Sequence, residues 1–268
     1  MRHCPPAEPM KTITSRDNPL FKHLKALTVP AQQRKRGQAL LEGLHLAEAY
    51  LDSVGQPAHC VLTESALAQV QTAQIVARLD PSRVVRFSDV LFSQLSTLVN
   101  GIGIAFVVDV RPRPLPERVE ATCVVLDGVQ DAGNVGSILR SAAAAGIGDV
   151  FCSPGTAHAW SPKVLRAGMG AQFLLRVHEQ VEAADLLARL AVPVFVTDSH
   201  DAQALYDVDL SGPLAWVFGN EGAGVSAEWR AAVSRRVTIP QPGGMESLNV
   251  AAAAAVCFFE QCRQRRVA

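Results

Sequence analysis

From residue 122 onward, short apolar runs rich in β-branched residues alternate with stretches of helical periodicity, and this alternation constrains the fold more than any other feature. The segments "ATCVVLDGV", "DVFCSP", "VPVFVTDS", "PLAWVFGN" and "RVTIP" read as strands. Between them, "NVGSILRSAAAAG", "SPKVLRAGMGA", "EAADLLARL" and "SAEWRAAV" read as helices, and an alanine-rich helix closes the chain. Strands spaced by whole helices imply a parallel sheet covered on both faces. Asn134 is the candidate N-cap of the first of these helices, with Gly146 just past its end. Ser161 and Pro162 open the second, and Ser247 can cap the last. Along that last helix Leu248, Ala251, Ala252, Ala255, Phe258 and Phe259 make one stripe, with further alanines opposite.

Ligands of such sheets bind beyond the carboxyl ends of the strands. Polar, glycine-rich clusters fall at three of those ends: after Leu126, after Phe218 and after Ile239. In the first, "LDGVQDAGNVGSILRSAAAAG", Arg140 points away from the apolar stripe of Val135, Ile138, Leu139 and Ala142 and is free to reach a ligand or phosphate. Taken alone, such a residue is more often an ordinary exposed arginine. The second, "WVFGNEGAGVSAEW", has neither the GxGxxG of a dinucleotide site nor a P-loop, and by itself reads as a turn. The third, "IPQPGGMESLNVAAAAAV", runs from a strand end through glycines into a helix N-terminus, where backbone amides favour an anion. Its bland alternative is a capped core helix.

The first half is organised differently. Alternating prolines in "VRPRPLPERVE" favour an extended spacer, so the expected division is a domain over 1–109, a linker over 110–119 and a second domain over 120–268. In the first part, "ALLEGLHLAEAYLDSVG" reads as one amphipathic helix (Leu40, Leu41, Leu44, Ala47, Leu51) ended by Gly55. "AHCVLTE" and "GIGIAFVVDV" read as strands, and "SALAQVQTAQIVARL" as a single helix, which together make a small α/β module.

Composition narrows the function. Formal net charge is zero, yet Arg2, Lys11, Arg16, Lys22, Lys25, Arg34, Lys35 and Arg36 face only Glu8 and Asp17 at the start of the chain. That excess is either a phosphate-facing patch or a solvated terminus. The six cysteines show no CxxC and no Cys/His ligand spacing, which argues for buried thiols in a reducing, cytoplasmic setting and against a metal site. No apolar run reaches the roughly 18 residues of a membrane span, and no secretory signal is visible at the N-terminus.

Taken together, the three clusters resemble the three motifs of the SpoU (TrmH-like) RNA ribose 2'-O-methyltransferases of the SPOUT class. "DAGNVGSILRSAAAAG" is similar to the first motif, "VFGNEGAGVS" to the second and "IPQPGGMESLNVAAAAAV" to the third, while "SPKVLRAGMGAQF" is similar to the segment between the first two. The part with "SRDNPLFKHLKAL" and "ALLEGLHLAEAYL" more loosely resembles an L30e-like substrate-binding domain. The resemblance implies a parallel-sheet domain tied in a deep trefoil knot, S-adenosylmethionine bound at the knot, an RNA substrate (ribosomal RNA before transfer RNA) and a homodimer with no metal. It also implies roles. Arg140, Asn134 and Glu221 would be catalytic; Thr197, Gly219, Ile239, Leu248, Ser247 and Asn249 would surround the cofactor, with Gly243 and Gly244 admitting it closely. Ala251 departs from the family pattern, in which a serine is common at that place. Competing readings are an RNA-binding assembly factor that keeps the fold without turnover, and a nicotinamide-dependent enzyme, which lacks its fingerprint.

Overall fold

The computed structural model describes residues 10–98, 101–198, 202–233, 235–243, 245 and 247–267. Gly244, Glu246 and the arm bearing Arg2, Cys4 and Glu8 lie outside the described residues. The chain divides into two compact units between Arg111 and Pro112, inside the proline-rich stretch. Val119 already belongs to the second unit: it is buried, donates to the Arg189 carbonyl and bridges Leu190.

The first unit holds a mixed sheet of β1 (Lys11–Ile13), β2 (Gln38–Glu42), β3 (His59–Thr63), β4 (Val84–Phe87) and β5 (Ile104–Asp109), in the order β1-β4-β3-β5-β2. Strands β1, β4 and β3 are parallel, and β5 runs antiparallel to β3 and β2. Its helices are α1 (Pro19–Ala26), α2 (Pro30–Arg36), α3 (Leu44–Ser53), α4 (Glu64–Leu67), α5 (Val70–Val76) and α6 (Asp89–Ser93). Two expectations are corrected here. The stretch read as one helix from Ala39 to Gly55 is strand β2 followed by helix α3, broken at Gly43, whose φ of 102° no helix accommodates. Leu40 and Leu41 are both buried, and a strand covered on both faces satisfies adjacent leucines as a half-exposed helix does not. The run "SALAQVQTAQIVARL" likewise splits into α4 and α5 at Gln69, which is extended.

The second unit is a seven-stranded, wholly parallel sheet. Its strands are β6 (Cys123–Asp127), β7 (Asp149–Cys152), β8 (Arg176–Glu179), β9 (Val194–Thr197), β10 (Gln203–Ala204), β11 (Ala215–Gly219) and β12 (Arg236–Thr238), in the order β10-β12-β9-β11-β6-β7-β8. Strands β8 and β10 lie at the edges and escaped the sequence reading, because one alternates charged with apolar residues and the other is two residues long. Helices α7 (Ala132–Ala144), α8 (Pro162–Gly168) and α11 (Val250–Val267) cover one face, burying Val135, Ile138, Leu139, Val164, Ala254 and Phe258 against Val124, Leu126, Trp216 and Phe218. Helices α9 (Ala183–Leu187) and α10 (Ala227–Ala232) cover the other, where Leu186 and Trp229 meet Val125, Ala215 and Val217.

Two packing details matter for the site. Helices α7 and α8 approach at Gly136, where a Cβ would stand 2.5 Å from the Ala167 Cβ and 2.6 Å from the Val164 carbonyl oxygen. Helix α11 buries Ala254, Cys257, Phe258 and Gln261, whereas Leu248 and Phe259 are 40% and 51% exposed. Its inward face is therefore rotated from the expected stripe. The cause is a buried amide: Gln261 accepts from the Trp216 indole N–H at 3.0 Å and donates to the Gly212 carbonyl at 3.0 Å, fixing the helix's rotation.

Candidate active site

Three loops leave the carboxyl ends of β6, β11 and β12, and side chains tie them to one another. Helix α7 opens with Asp131 as its N-cap, accepting from the Asn134 N–H at 3.0 Å. This corrects the sequence reading of Asn134 as the cap: it lies inside the first turn, and its amide group is free to face outward. Asn134 Nδ2 donates to Glu221 Oε1 at 2.9 Å, and Asn134 Oδ1 accepts from Asn249 Nδ2 at 3.0 Å. Glu221 also accepts from the backbone N–H of Gln130 and of Asp131, each at 3.1 Å. Asn249 Oδ1 in turn accepts from the N–H groups of Ala251 and Ala252 at 2.9 and 3.2 Å. Asn249, rather than Ser247, thus caps α11, and Ser247 is exposed ahead of it. The motif residues Glu221, Asn134 and Asn249 form one hydrogen-bonded chain that closes two helix N-termini.

Further contacts hold the loops, and sequence reasoning assigned them no role. Asn220 donates to the Gly128 carbonyl and accepts from the N–H groups of Gly222 and Ala223, all at 2.9 Å. Asp127 accepts from the Ser226 N–H at the start of α10 at 2.7 Å. Their signal was available, since Asp and Asn directly after a strand are favoured turn and cap formers. Gly219 is a glycine for a reason within the chain: a Cβ there would lie 2.2 Å from the Gly224 carbonyl carbon and the Val225 nitrogen.

Burial alone would raise the Glu221 carboxyl, but hydrogen bonds from the Asn134 amide and the backbone N–H groups outweigh it and hold the group below its ordinary value. Thr197 at the end of β9, Gly219 at the end of β11 and Ile239 just past β12 stand at the ends of three neighbouring strands. The Thr197 hydroxyl donates to the Val217 carbonyl at 3.0 Å, so its methyl group and backbone are what remain for a ligand. Ile239 is half-buried, Leu248 half-exposed and Met245 74% exposed. A Cβ on Gly243 would meet nothing within 4 Å. Arg140 is exposed on α7, two turns beyond Asn134, and no hydrogen bond or ion pair of its guanidinium occurs among the described residues. The described residues include no group of His, Cys, Asp and Glu able to hold a metal, and no described helix is long and apolar enough to cross a membrane.

Three loops knitted together beyond the carboxyl ends of parallel strands define an α/β domain built to hold a ligand at that edge. The family that supplies this arrangement is also shown by comparison. The chain belongs to the SpoU rRNA Methylase family, whose profile matches residues 121–259. It is 33% identical to an uncharacterized tRNA/rRNA methyltransferase of Synechocystis, over 95% of this chain and 94% of that protein. It is 32% identical to the 23S rRNA (guanosine(2553)-2'-O)-methyltransferase RlmP of Bacillus subtilis, over 93% and 98% of the two chains. Among solved structures, an AdoMet-bound rRNA methyltransferase from Sinorhizobium meliloti superposes with a TM-score of 0.82 at 27% identity, covering 95% of this chain and 98% of that one.

Proposed function

We propose that the protein transfers the methyl group of S-adenosylmethionine to a ribose 2'-hydroxyl of RNA, with ribosomal RNA as the substrate. The Glu221, Asn134 and Asn249 chain is the observation that carries this reading, because it converts three separate loops into one rigid site. The cofactor, when bound, supplies an electrophilic sulfonium methyl. The residues present suit it: Met245 and Leu248 offer exposed apolar side chains, and Ile239 a half-buried one, for an adenine ring beside the open space at Gly243. Thr197 and Gly219 would contribute strand-end backbone, with Asn249 fixing the third loop and Ser247 exposed on it for the ligand.

The chemistry asks mainly for alignment of the 2'-hydroxyl with the methyl group. Arg140 is the cation we assign to the RNA phosphate beside the target ribose; a guanidinium is a poor base but an excellent phosphate partner. Glu221 and Asn134 act as positioning residues. The Glu221 oxygens are occupied by three N–H donors, and a carboxylate held below its ordinary pKa is a weak proton acceptor.

Ribosomal RNA is favoured over transfer RNA by the name of the B. subtilis relative, matched over nearly its whole length. The first unit, with Lys11, Arg16, Lys22, Lys25, Arg34, Lys35 and Arg36, serves in this reading as the RNA substrate-binding domain. A trefoil knot belongs to the same proposal, and the bond from Asn249, in the segment after β12, to Asn134 of α7 supports it. A homodimer is part of the same reading, supported by the exposed Phe259 and Ala252 on α11 and by the outward Arg140, which a second copy would bring to a site. The cytoplasm, where ribosomal RNA and reduced thiols coexist, is the compartment we infer.

Calorimetric titration with S-adenosylmethionine, followed by methyl transfer to total RNA from a strain lacking the gene, tests the proposal. Binding and transfer are expected for the wild type, and binding without transfer for Arg140→Ala. Cofactor binding by a wild type that transfers nothing would instead point to an RNA-binding assembly factor.

A further inference from the structure

The segment "SPKVLRAGMGA" is not accounted for by the cofactor side of the site, and its exposed cations lie along the seam between α7 and α8. Asp131 at the start of α7 meets Lys163 of α8, Oδ2 to Nζ at 3.0 Å. One turn further along, Gly136 lies against Val164, Ala167 and Gly168. Helical spacing puts Gly133, Gly136, Ser137 and Arg140 on one side of α7, and Lys163, Arg166 and Ala167 on the facing side of α8. The seam floor is made of small residues, and Lys163, Arg166 and Arg140 are all exposed along it.

Among the described residues, the carboxylates of Asp131 and Glu221 at this corner are both already engaged. Asp131 accepts from the Asn134 N–H and from Lys163, and Glu221 accepts from Gln130, Asp131 and Asn134. An ammonium has three donors, of which Asp131 takes one, and the Lys163 side chain is 61% exposed. Its remaining donors face solvent at the rim of the site, beside the helix turn that carries Asn134.

We propose that the α7–α8 seam is the track for the RNA backbone flanking the methylated nucleotide, with Lys163 as a phosphate contact acting alongside Arg140. This rests on the function proposed above and extends it by naming the surface the RNA crosses. Lys163 keeps its bond to Asp131 while reaching outward, so one side chain couples the incoming phosphate to the cap of α7.

The test measures binding of, and methyl transfer to, total ribosomal RNA from a strain lacking the gene, across a series of KCl concentrations, for wild type, Lys163→Gln and Lys163→Arg. Lys163→Gln is expected to raise KM and Kd for the RNA about fivefold, the scale of one exposed ion pair. It should leave kcat and the S-adenosylmethionine Kd little changed. The slope of log Kd against log salt should fall by about 0.7 to 0.9, one phosphate's share of counterion release. Lys163→Arg should restore both. If Lys163 only supports the cap, Lys163→Gln would lower the melting temperature and weaken cofactor binding with the salt slope unchanged, and the inference falls. A wild type that binds RNA without methylating it would overturn the proposed function instead, while the salt slope would still decide the seam.

Discussion

Asn249 carries two loads that substitution can separate. Its Oδ1 caps α11 through two backbone N–H groups, and its Nδ2 ties that helix to Asn134. Losing an N-cap costs about 1 kcal/mol, and losing one neutral hydrogen bond costs about another 1 kcal/mol. Asn249→Ala should therefore destabilise the second unit by about 2 kcal/mol, or roughly 4–8 °C for a domain of this size. Asn249→Ser retains a cap and loses only the tie, so it should cost about half as much. The catalytic effects should not divide the same way. If the tie aligns the third loop with the first, Asn249→Ser should lower kcat/KM about tenfold or more, the scale of misplaced reacting groups, despite a near-native melting curve. Thermal unfolding by circular dichroism and single-turnover methyl transfer measure the two effects side by side. An Asn249→Ser protein with wild-type turnover would show that the inter-loop bond is decorative and that the site does not depend on it.

Other consequences follow from the same contacts. Gly136→Val should cost about 3 kcal/mol or more and Gly136→Ala about 1–3 kcal/mol, since the added carbons strike α8 backbone that cannot move alone; denaturant titration checks this. Gly219→Ala should open the loop against Gly224 and Val225 and weaken S-adenosylmethionine binding in calorimetry, whereas Gly243→Ala, which meets no protein atom, should leave the melting temperature unchanged. For Asp149, burial would raise the carboxyl, but the His178 ring 3.7 Å away and the Arg176 guanidinium bonded at 2.6 and 2.7 Å overcome it and hold the group down at about 2. Its folded pKa lies below its unfolded value, so the stabilisation, about 2 kcal/mol, is complete above pH ~4 and is lost as pH falls towards 2. Asp149→Asn should remove that acid-side slope from stability measured between those limits. Arg140→Ala should abolish transfer with little change in melting temperature, because no described residue bonds its guanidinium.

Much of this was legible in the sequence, and the gaps have physical causes. The parallel sheet could be read because buried strands such as "CVVL" and "AWVF" are continuous apolar runs between helices. The three loops could be located because parallel strands deliver their carboxyl ends to one edge. Strand β2 was hidden, since Leu40, Leu41 and Leu44 fit a helical period as well as a strand covered on both faces, and only tertiary pairing with β5 decides between them. The caps were misplaced by a few residues: Asp131 and Asn134 are both good caps, as are Ser247 and Asn249. The hydrogen bonds that choose between them, to Glu221 and between the two asparagines, link residues about 90 to 115 positions apart and leave no local pattern. The rotation of α11 depended on Gln261, a polar residue that no hydrophobic periodicity would place inside.

The most direct measurement is mass spectrometry of nucleosides from ribosomal RNA incubated with the purified protein and S-adenosylmethionine carrying a deuterated methyl group. The label should appear in a single 2'-O-methylated nucleoside, and should vanish with Arg140→Ala. Label on a base, or none on RNA from a strain lacking the gene, would contradict the account.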